Sequence, residues 1–524
     1  MGMGRCGDLR LSVQGGDGDA ILNSRCAPRS AGRFASQTIM DTRLRVPLVL
    51  LPALIGCVGP DPVEERPDLG ALLRGEMPAQ WSSDGSGEGH VAPDGEPQAP
   101  FWESFDDPVL TGLVEEALVH NRDLLASAER LRGAAARSMV ARSARRPQVQ
   151  GRLDGARQEQ VFVGLPIPGG PLESEYDQWS AAIDLSWELD LWGKLAAGVD
   201  AAEAEVQGVL ADLEAARLSV AAQVTIAWFG LREATEQVAL AEATLATYLR
   251  SLKAIEDRHA AGLTGTLDLR LSQANVAGSR AQLAAATRGR DVVARQVEVL
   301  LGRFPDAELS SEGAFLKLPP GVPAGVPAEV LSRRPDMVAI ERRMAAAEAT
   351  ARQARLDRWP SIALTSSGGL TSEDFKDLLD GDFGVWSLAG RVTAPIFDGG
   401  RREARIDESL AVLREIRALF ASAALRAFFE VENALAAEGL LIERLGHLEE
   451  AALRSREATA LAEDQYEQGL VSIDLVLEAQ RRELQAESTF LETRRELYQN
   501  RVDLHVALGG GFIGDATIAV PAED

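Results

Sequence analysis

The sequence has little of what enzyme active sites and metal sites are usually built from. All three cysteines precede residue 58, so the body of the protein has no thiol for a disulfide or a nucleophile. The five histidines lie far apart, and none is spaced to share a helix face with a second metal ligand. No phosphate-binding loop or nucleophile elbow stands out either. We therefore expect no metal, no catalytic residue and no enzyme activity.

Positive charge is also scarce. Lys and Arg total 54 against 79 Asp and Glu, which gives a formal net charge of −25 at pH 7. Wrapping of nucleic acid and docking onto an anionic membrane face both require clustered basic side chains. The composition thus argues against a nucleic-acid partner and against such a membrane surface.

Proline is missing from residues 172–304 and 396–520, although the chain has 24 prolines. Such stretches permit very long helices. From Lys194 to Gly262 a helix would be about 100 Å long, at about 1.5 Å per residue. Apolar or small side chains recur at spacings of three and four, which is typical of a coiled-coil seam. They are Leu213, Ala216, Val220, Val224, Ala227 and Leu231 in one stretch and Leu413, Ile416, Phe420, Ala424, Ala427, Val431 and Ala434 in the other.

One segment occurs twice in related form. GLTGTLDLRLSQ begins at Gly262 and GLVSIDLVLEAQ at Gly469, 207 residues later (469 − 262). Each predicts a helix-to-helix corner, in which the glycine takes a left-handed conformation and Asp268 or Asp474 lies near the start of the next helix. Thr264-Gly265-Thr266 predicts a looser first corner. Further pairs share this offset or one of 213, which indicates a duplicated unit: Lys194 and Arg401, Gly302 and Gly509, Asp123 and Asp336, and Pro147 and Pro360.

Between the early helix and the long helices, apolar and polar residues alternate with a period of two. Apolar residues from Ala181 to Leu189 alternate with polar ones, and a second alternation runs from Trp386 to Ile396. We expect their partner strands near residues 148–157 and 361–370. Each half is then helix, strand, loop, strand, long helix, corner, helix.

Four strands per chain cannot close a barrel and would leave open edges. If the apolar face meets lipid, several chains must share one barrel, with two copies giving eight strands and three giving twelve. Trp179, Trp187 and Trp386 would then suit a membrane interface. The alternative is an ordinary soluble sheet packed on a helix. Helices as long as these are poorly shaped to wrap a core around such a sheet.

A secretory signal precedes Cys57. Arg43 and Arg45 are followed by a short apolar core from Val46 to Ile55, which is too short to span a bilayer. The ending Leu-Ile-Gly-Cys57 resembles a bacterial lipobox, which implies cleavage before Cys57 and acylation of that residue. The alternative is a free cysteine after an ordinary signal.

The chain resembles the TolC-type outer-membrane efflux channels, in particular the lipoprotein branch that serves resistance-nodulation-division pumps. The motifs that carry the resemblance are Phe101-Trp102 with Phe105-Asp106-Asp107-Pro108, WELDLWGK from Trp187 to Lys194, Val326-Pro327 with LSRRPD from Leu331 to Asp336, APIFDGGR from Ala394 to Arg401, and both corners. The resemblance implies a mainly α-helical homotrimer. Its twelve-stranded outer-membrane β-barrel would be continued by a long helical coiled-coil barrel in the periplasm.

The resemblance also implies the working parts. The corners would form the periplasmic tip that contacts an adaptor (membrane fusion) protein, with an inner-membrane resistance-nodulation-division transporter supplying the energy. Asp474 and Glu478 would line the aperture. No cofactor is implied beyond the covalent lipid on Cys57, and outer-membrane lipid is the remaining partner. The residues implied at the tip are Gly262, Leu263, Thr264, Gly265, Gly469, Leu470, Val471 and Ser472.

We thus predict a passive exit duct for small toxic molecules such as drugs. The alternatives are an exit duct for one-step protein secretion and a non-conducting structural coiled-coil lipoprotein. The predicted segments are 1–39, an over-extended start; 40–56, the signal peptide; 57–100, a lipidated extended segment; 101–310 and 311–511, the two repeats; and 512–524, a tail.

Overall fold

Long helices and one small sheet make up the fold. The computed structural model describes residues 81–82, 100–162, 172–311, 315, 318–319, 321–322, 327–378 and 384–510, all of which lie in the compact unit 60–524. Cys57 and the predicted signal peptide therefore lie outside the described residues. The elements in chain order are a 3₁₀ helix (Phe101–Phe105), α1 (Pro108–His120), α2 (Arg122–Ser143), β1 (Gln148–Phe162), β2 (Leu172–Leu189), α3 (Lys194–Ala260), α4 (Thr266–Leu300), α5 (Pro327–Arg333), α6 (Pro335–Leu356), β3 (Ser361–Ser372), a 3₁₀ turn (Phe375–Asp377), β4 (Gly384–Thr393), α7 (Arg401–Glu467) and α8 (Ile473–Ala507).

The proline-free stretches form two helical hairpins of matching size. Helices α3 and α7 each have 67 residues, or about 100 Å at about 1.5 Å per residue, and α4 and α8 each have 35. Helix α3 packs along α4 and also contacts α2, α6 and α8, whereas α7 packs along α8 and contacts α6. The predicted long helices are confirmed. None of the described helices is at once long and apolar enough to cross a membrane.

The four strands form one antiparallel sheet in the order β1-β2-β3-β4. Directly paired residues lie on the same face of a sheet, so the register decides which side chains share a face. One such row joins Val149, Leu185, Ser366 and Leu388. The same register gathers most large apolar side chains of the sheet on that face: Val149, Leu153, Trp179, Ile183, Leu185, Trp187, Leu189, Ile362, Leu364, Leu370, Trp386, Leu388 and Val392.

The apolar face ends at the row of Trp179, which pairs with Gly155 and Ser372. A Cβ atom on Gly155 would lie 2.5 Å from the Trp179 ring, so glycine makes room for the indole. Beyond this row the β1–β2 hairpin continues without β3, and charged residues take over the face, with Arg157 Nε 2.6 Å from Glu175 Oε1. Strand β1 therefore extends beyond residue 157, its predicted end. Ion pairs and backbone hydrogen bonds hold this extension, in which apolar and polar residues no longer alternate.

A mixed aromatic and apolar core holds the helices together beside the 3₁₀ helix at Phe101–Phe105. Phe105, Phe229 and Tyr498 are buried with ring centroids 4.7–6.2 Å apart. Asp107 accepts hydrogen bonds from two backbone N–H groups at the start of α1 and from Trp228 Nε1 at 2.9 Å. The Phe101–Pro108 motif thus caps the start of α1 and adds buried aromatic rings to the core, and its Asp107 links α1 to α3.

Candidate functional site: the paired helical corners

Both corners reverse the chain by the same backbone geometry. Gly262 and Gly469 have φ of 74° and 76°, the left-handed conformation predicted from the sequence. The next N–H in each corner reaches back to the final turn of the helix, with Leu263 N to Arg258 O and Leu470 N to Gln465 O both at 2.9 Å. This pattern is the Schellman motif, which satisfies carbonyl groups that the helix end would otherwise leave open.

The following helices also begin alike. Gly265 and Ser472 are extended, with φ of −80° in both and ψ of 163° and 159°, and the first turns of α4 and α8 carry Asp268 and Asp474 as predicted. An acidic side chain in the first turn is favoured by the helix dipole.

The first corner has additional side-chain hydrogen bonds. Thr264 Oγ1 donates to Asp268, and His259 Nδ1 lies 3.1 Å from the Thr264 carbonyl oxygen. The expectation of a looser first corner is therefore wrong: its backbone matches the second corner, and threonine adds contacts to the turn.

Apolar side chains are exposed at the tips. Leu263 and Leu470, which are 207 residues apart, have exposed fractions of 71% and 69%. Of the other predicted tip residues, Thr264 and Val471 are half-buried, and Gly262, Gly265, Gly469 and Ser472 are exposed. Each corner thus exposes a leucine on its turn, and Leu267 at the start of α4 adds a second one, 70% exposed, at the first corner.

The two predicted aperture residues lie one turn apart on α8. Asp474 is exposed, and Glu478 is half-buried. Glu478 is paired with two arginines of its own helix: Arg481 Nη2, and Arg482 Nε at 2.9 Å. The sequence prediction considered only the acids, although arginines three and four residues later are in reach on a helix. The negative charge at Glu478 is therefore locally compensated.

Side chains near the corners also connect the two hairpins, a link that the sequence analysis missed. Arg258 Nη1 donates to the Tyr466 carbonyl oxygen at 3.2 Å, and the Arg258 guanidinium carbon lies 4.8 Å from the centroid of the Tyr466 ring. Gln480 donates to Glu463 Oε1 at 2.7 Å and to Ser251 Oγ at 3.4 Å. The apolar part of this contact is a small cluster of buried side chains: Ile255, Ala462, Ile473 and Val476.

Burial changes the titration of two groups in this region. It raises the pKa of the Tyr466 phenol, against the opposing effect of Arg258. It also raises the pKa of Glu483, five residues after Glu478, with Glu487 and Glu463 adding to the rise and Thr459 and Arg456 opposing it.

Comparison with known proteins places this arrangement in a family. A model of outer membrane efflux proteins matches residues 113–303 and 326–510. The toluene efflux pump outer membrane protein TtgF of Pseudomonas putida is 31% identical over 78% of this chain and 84% of its own length. The outer membrane protein OprJ of Pseudomonas aeruginosa is 32% identical over 78% of this chain and 86% of its own. The open-state structure of the MtrE outer membrane channel of Neisseria gonorrhoeae superposes with a TM-score of 0.73 at 28% identity, covering 86% of this chain and 98% of that one.

Proposed function

Because the chain belongs to the outer membrane efflux protein family, we propose that it works as a passive exit duct. The protein is an outer-membrane component of an efflux pump, and its relatives are efflux channels rather than enzymes. The observation that carries the proposal is the joining of a sheet with one apolar face to two helical hairpins with matched corners. The sheet suits a bilayer and the rods suit a tunnel in the periplasm. The duct itself performs no catalysis in this proposal.

The duct is a homotrimer in this proposal. Strands β1 and β4 are the edges of the sheet, so each offers unpaired backbone groups on one side. Hydrocarbon supplies no hydrogen bonds, so such edges must close on another copy. Three copies of four strands give a twelve-stranded barrel, whose apolar face meets lipid and whose polar face lines the lumen.

The partners follow from the position of the corners. Three copies would present six corners at the periplasmic tip, each with an exposed leucine for a periplasmic adaptor protein. The adaptor would connect the duct to an inner-membrane resistance-nodulation-division transporter, which supplies the energy. The cargo would be small toxic compounds, and the name of the relative TtgF gives toluene as one such compound.

The N-terminal anchor and the aperture complete the proposal. Cys57 would carry acyl chains in the outer membrane, and Asp474 with Glu478 would line the constriction. The pairing of Glu478 with Arg481 and Arg482 supports a constriction of mixed charge, rather than two stacked rings of acids alone.

Conductance through a planar lipid bilayer tests the proposal. Full-length purified protein is expected to give discrete ion channels, and an absence of channels from protein that is inserted and trimeric would favour a structural coiled-coil lipoprotein. A secretion duct would conduct as well. Adjacent genes separate that alternative, because an adaptor next to a proton-driven pump supports efflux and one next to an ATP-driven exporter supports protein secretion.

A further inference from the structure

A basic turn lies at the foot of the apolar face of the sheet. Residues 144–147 join α2 to β1, and two backbone hydrogen bonds fix the turn, from Arg145 N to Arg142 O and from Arg146 N to Ser143 O. Trp187, which lies on the apolar face opposite Leu364, donates its indole N–H to the Arg145 carbonyl oxygen at 3.0 Å. The turn is thus held next to the last apolar rows, on the side where the sheet meets the helices.

Most basic side chains around this junction have acidic partners. The pairs are Arg142 with Glu203, Lys194 with Glu188, Arg352 with Asp200, Arg358 with Glu403, and Arg402 with Asp398. Arg145 and Arg146 are exposed, and neither forms an ion pair with any residue that the structure describes; the same holds for Arg401 and Arg405 at the start of α7, but only Arg145 and Arg146 are adjacent in sequence. Two adjacent positive charges therefore lie unneutralised at the end of an apolar surface.

The corresponding residues in the second half of the chain have different contacts. With the offset of 213, Arg145 corresponds to Arg358, which is paired with Glu403. Arg146 corresponds to Trp359, whose ring stacks on Trp192 at a centroid distance of 5.2 Å. Trp192 also donates to the carbonyl oxygen of Pro360, the residue before β3. The junction thus combines fixed indoles with two adjacent arginines that form no ion pair with the described residues.

We propose that Arg145 and Arg146 bind the phosphate of an anionic phospholipid at the periplasmic edge of the apolar face. Tryptophan favours the boundary between hydrocarbon and water, and arginine matches phosphate with a planar set of donors while its stem covers apolar surface. The overall charge of −25 argues against a membrane partner of this kind, but binding depends on the local pair, which the acidic residues nearby do not neutralise. The inference rests on the proposed insertion of this sheet in the outer membrane.

Lipid titration of the full-length trimer in neutral detergent tests the inference. Phosphatidylglycerol and phosphatidylcholine are added in parallel, and the bound lipids are counted by native mass spectrometry. We expect R145Q/R146Q to weaken phosphatidylglycerol binding about twenty-five-fold, since each of the two basic side chains at an anionic lipid surface contributes about fivefold. Phosphatidylcholine binding should not change, and R145K/R146K should keep most of the preference because it keeps the charge.

The control is R280Q/R288Q, which removes the same charge from exposed positions of α4. Equal phosphatidylglycerol binding by R145Q/R146Q and the unmodified protein would overturn the inference. The inference would also be overturned if R145Q/R146Q lost the same amount of trimer stability with and without phosphatidylglycerol. That result would assign the arginines to a contact with a neighbouring copy. The Trp187 bond uses the Arg145 backbone, so neither variant removes it. Channel conductance of the same preparations reports separately on the proposed duct.

Discussion

Arg258 and Tyr466 join the two helical hairpins just before their corners. The guanidinium lies over the phenol ring at 4.8 Å and donates to the Tyr466 backbone oxygen at 3.2 Å. A partly desolvated cation–π contact contributes about 1–2 kcal/mol. If the duct narrows at its tip, Arg258→Ala should loosen the contact by about that amount and raise the single-channel conductance measured in a planar bilayer.

Arg250 provides the matched control for this variant. It lies on the same helix and is exposed, and among the described residues its side chain bonds only to Thr247 in the preceding turn. Arg250→Ala should leave conductance unchanged. If both variants conduct alike, or if neither differs from the unmodified channel, the contact plays no part in the width of the tip.

The shared row of Leu185 and Leu388 gives a test of the sheet. Leu388 is 72% exposed in the single chain, on the face that the proposal assigns to lipid. Leu185→Arg or Leu388→Arg should destabilise the trimer by about 2–4 kcal/mol if the row lies near the bilayer midplane. Thermal dissociation of the trimer on non-boiled gels measures the effect.

The neighbouring positions on the opposite face serve as controls. Ser186→Arg and Ser387→Arg place the same charge one residue away, toward the proposed lumen, and should cost much less. Equal losses on the two faces would show that the assignment of the faces is wrong.

The parts of the fold that were predicted depend on local chemistry. Gly262 and Gly469 follow long periodic runs, so both the corner and its left-handed glycine were predicted from sequence alone. The alternation from Ala181 to Leu189 likewise predicted β2 and its apolar face. These features are fixed within one turn or one strand, where sequence spacing is also spatial spacing.

The parts that were missed depend on pairing between distant segments or on charge. The bond between Arg258 and Tyr466 joins residues that are 208 apart, and no spacing rule brings them together. The extension of β1 past Arg157 was missed because charged residues hold it in place of alternating apolar ones. The partners of Glu478 were visible in the sequence at three and four residues, and were not considered.

His505 predicts a dependence of stability on pH. Burial, with Arg501 adding to the effect, lowers its pKa from 6.5 to about 4, and its ring stacks on Phe101 with centroids 5.6 Å apart. The folded state thus keeps the imidazole neutral while the unfolded state takes up a proton below about pH 6.5. The stabilisation is complete above that pH and is lost as pH falls toward 4, by about 3 kcal/mol in all.

Chemical unfolding at several pH values measures this effect. His505→Phe keeps an aromatic ring next to Phe101 and should flatten the profile between pH 6.5 and 4. His447 is exposed on α7, so His447→Phe should leave the profile as it is. A slope that survives in the His505 variant would assign the acid sensitivity to other groups.

The proposed lipid anchor predicts the mass of the mature protein. Cys57 should be its first residue and carry acyl chains, each of which adds about 0.8 kcal/mol per buried methylene. Intact-mass measurement should show the lipid on the unmodified protein and on Cys26→Ala, and no lipid on Cys57→Ala. The last variant should still assemble, since the barrel is a second anchor. An unmodified Cys57 in protein from native membranes would contradict the prediction.

Arg481 and Arg482 next to Glu478 affect the ion selectivity that we expect at the proposed aperture. Replacing Asp474 and Glu478 together by alanine should weaken cation selectivity and alter the closed-state conductance, with trimer assembly untouched. Because Glu478 is paired with Arg481 and Arg482, Glu478→Gln alone should already leave two uncompensated cations that shift the channel toward anions, and the double alanine variant should shift it further. Reversal potentials in asymmetric salt measure both effects, and Glu478→Gln with Arg481→Gln and Arg482→Gln should cancel the anion shift. Selectivity that is the same in all of these variants would place the constriction elsewhere on the tip.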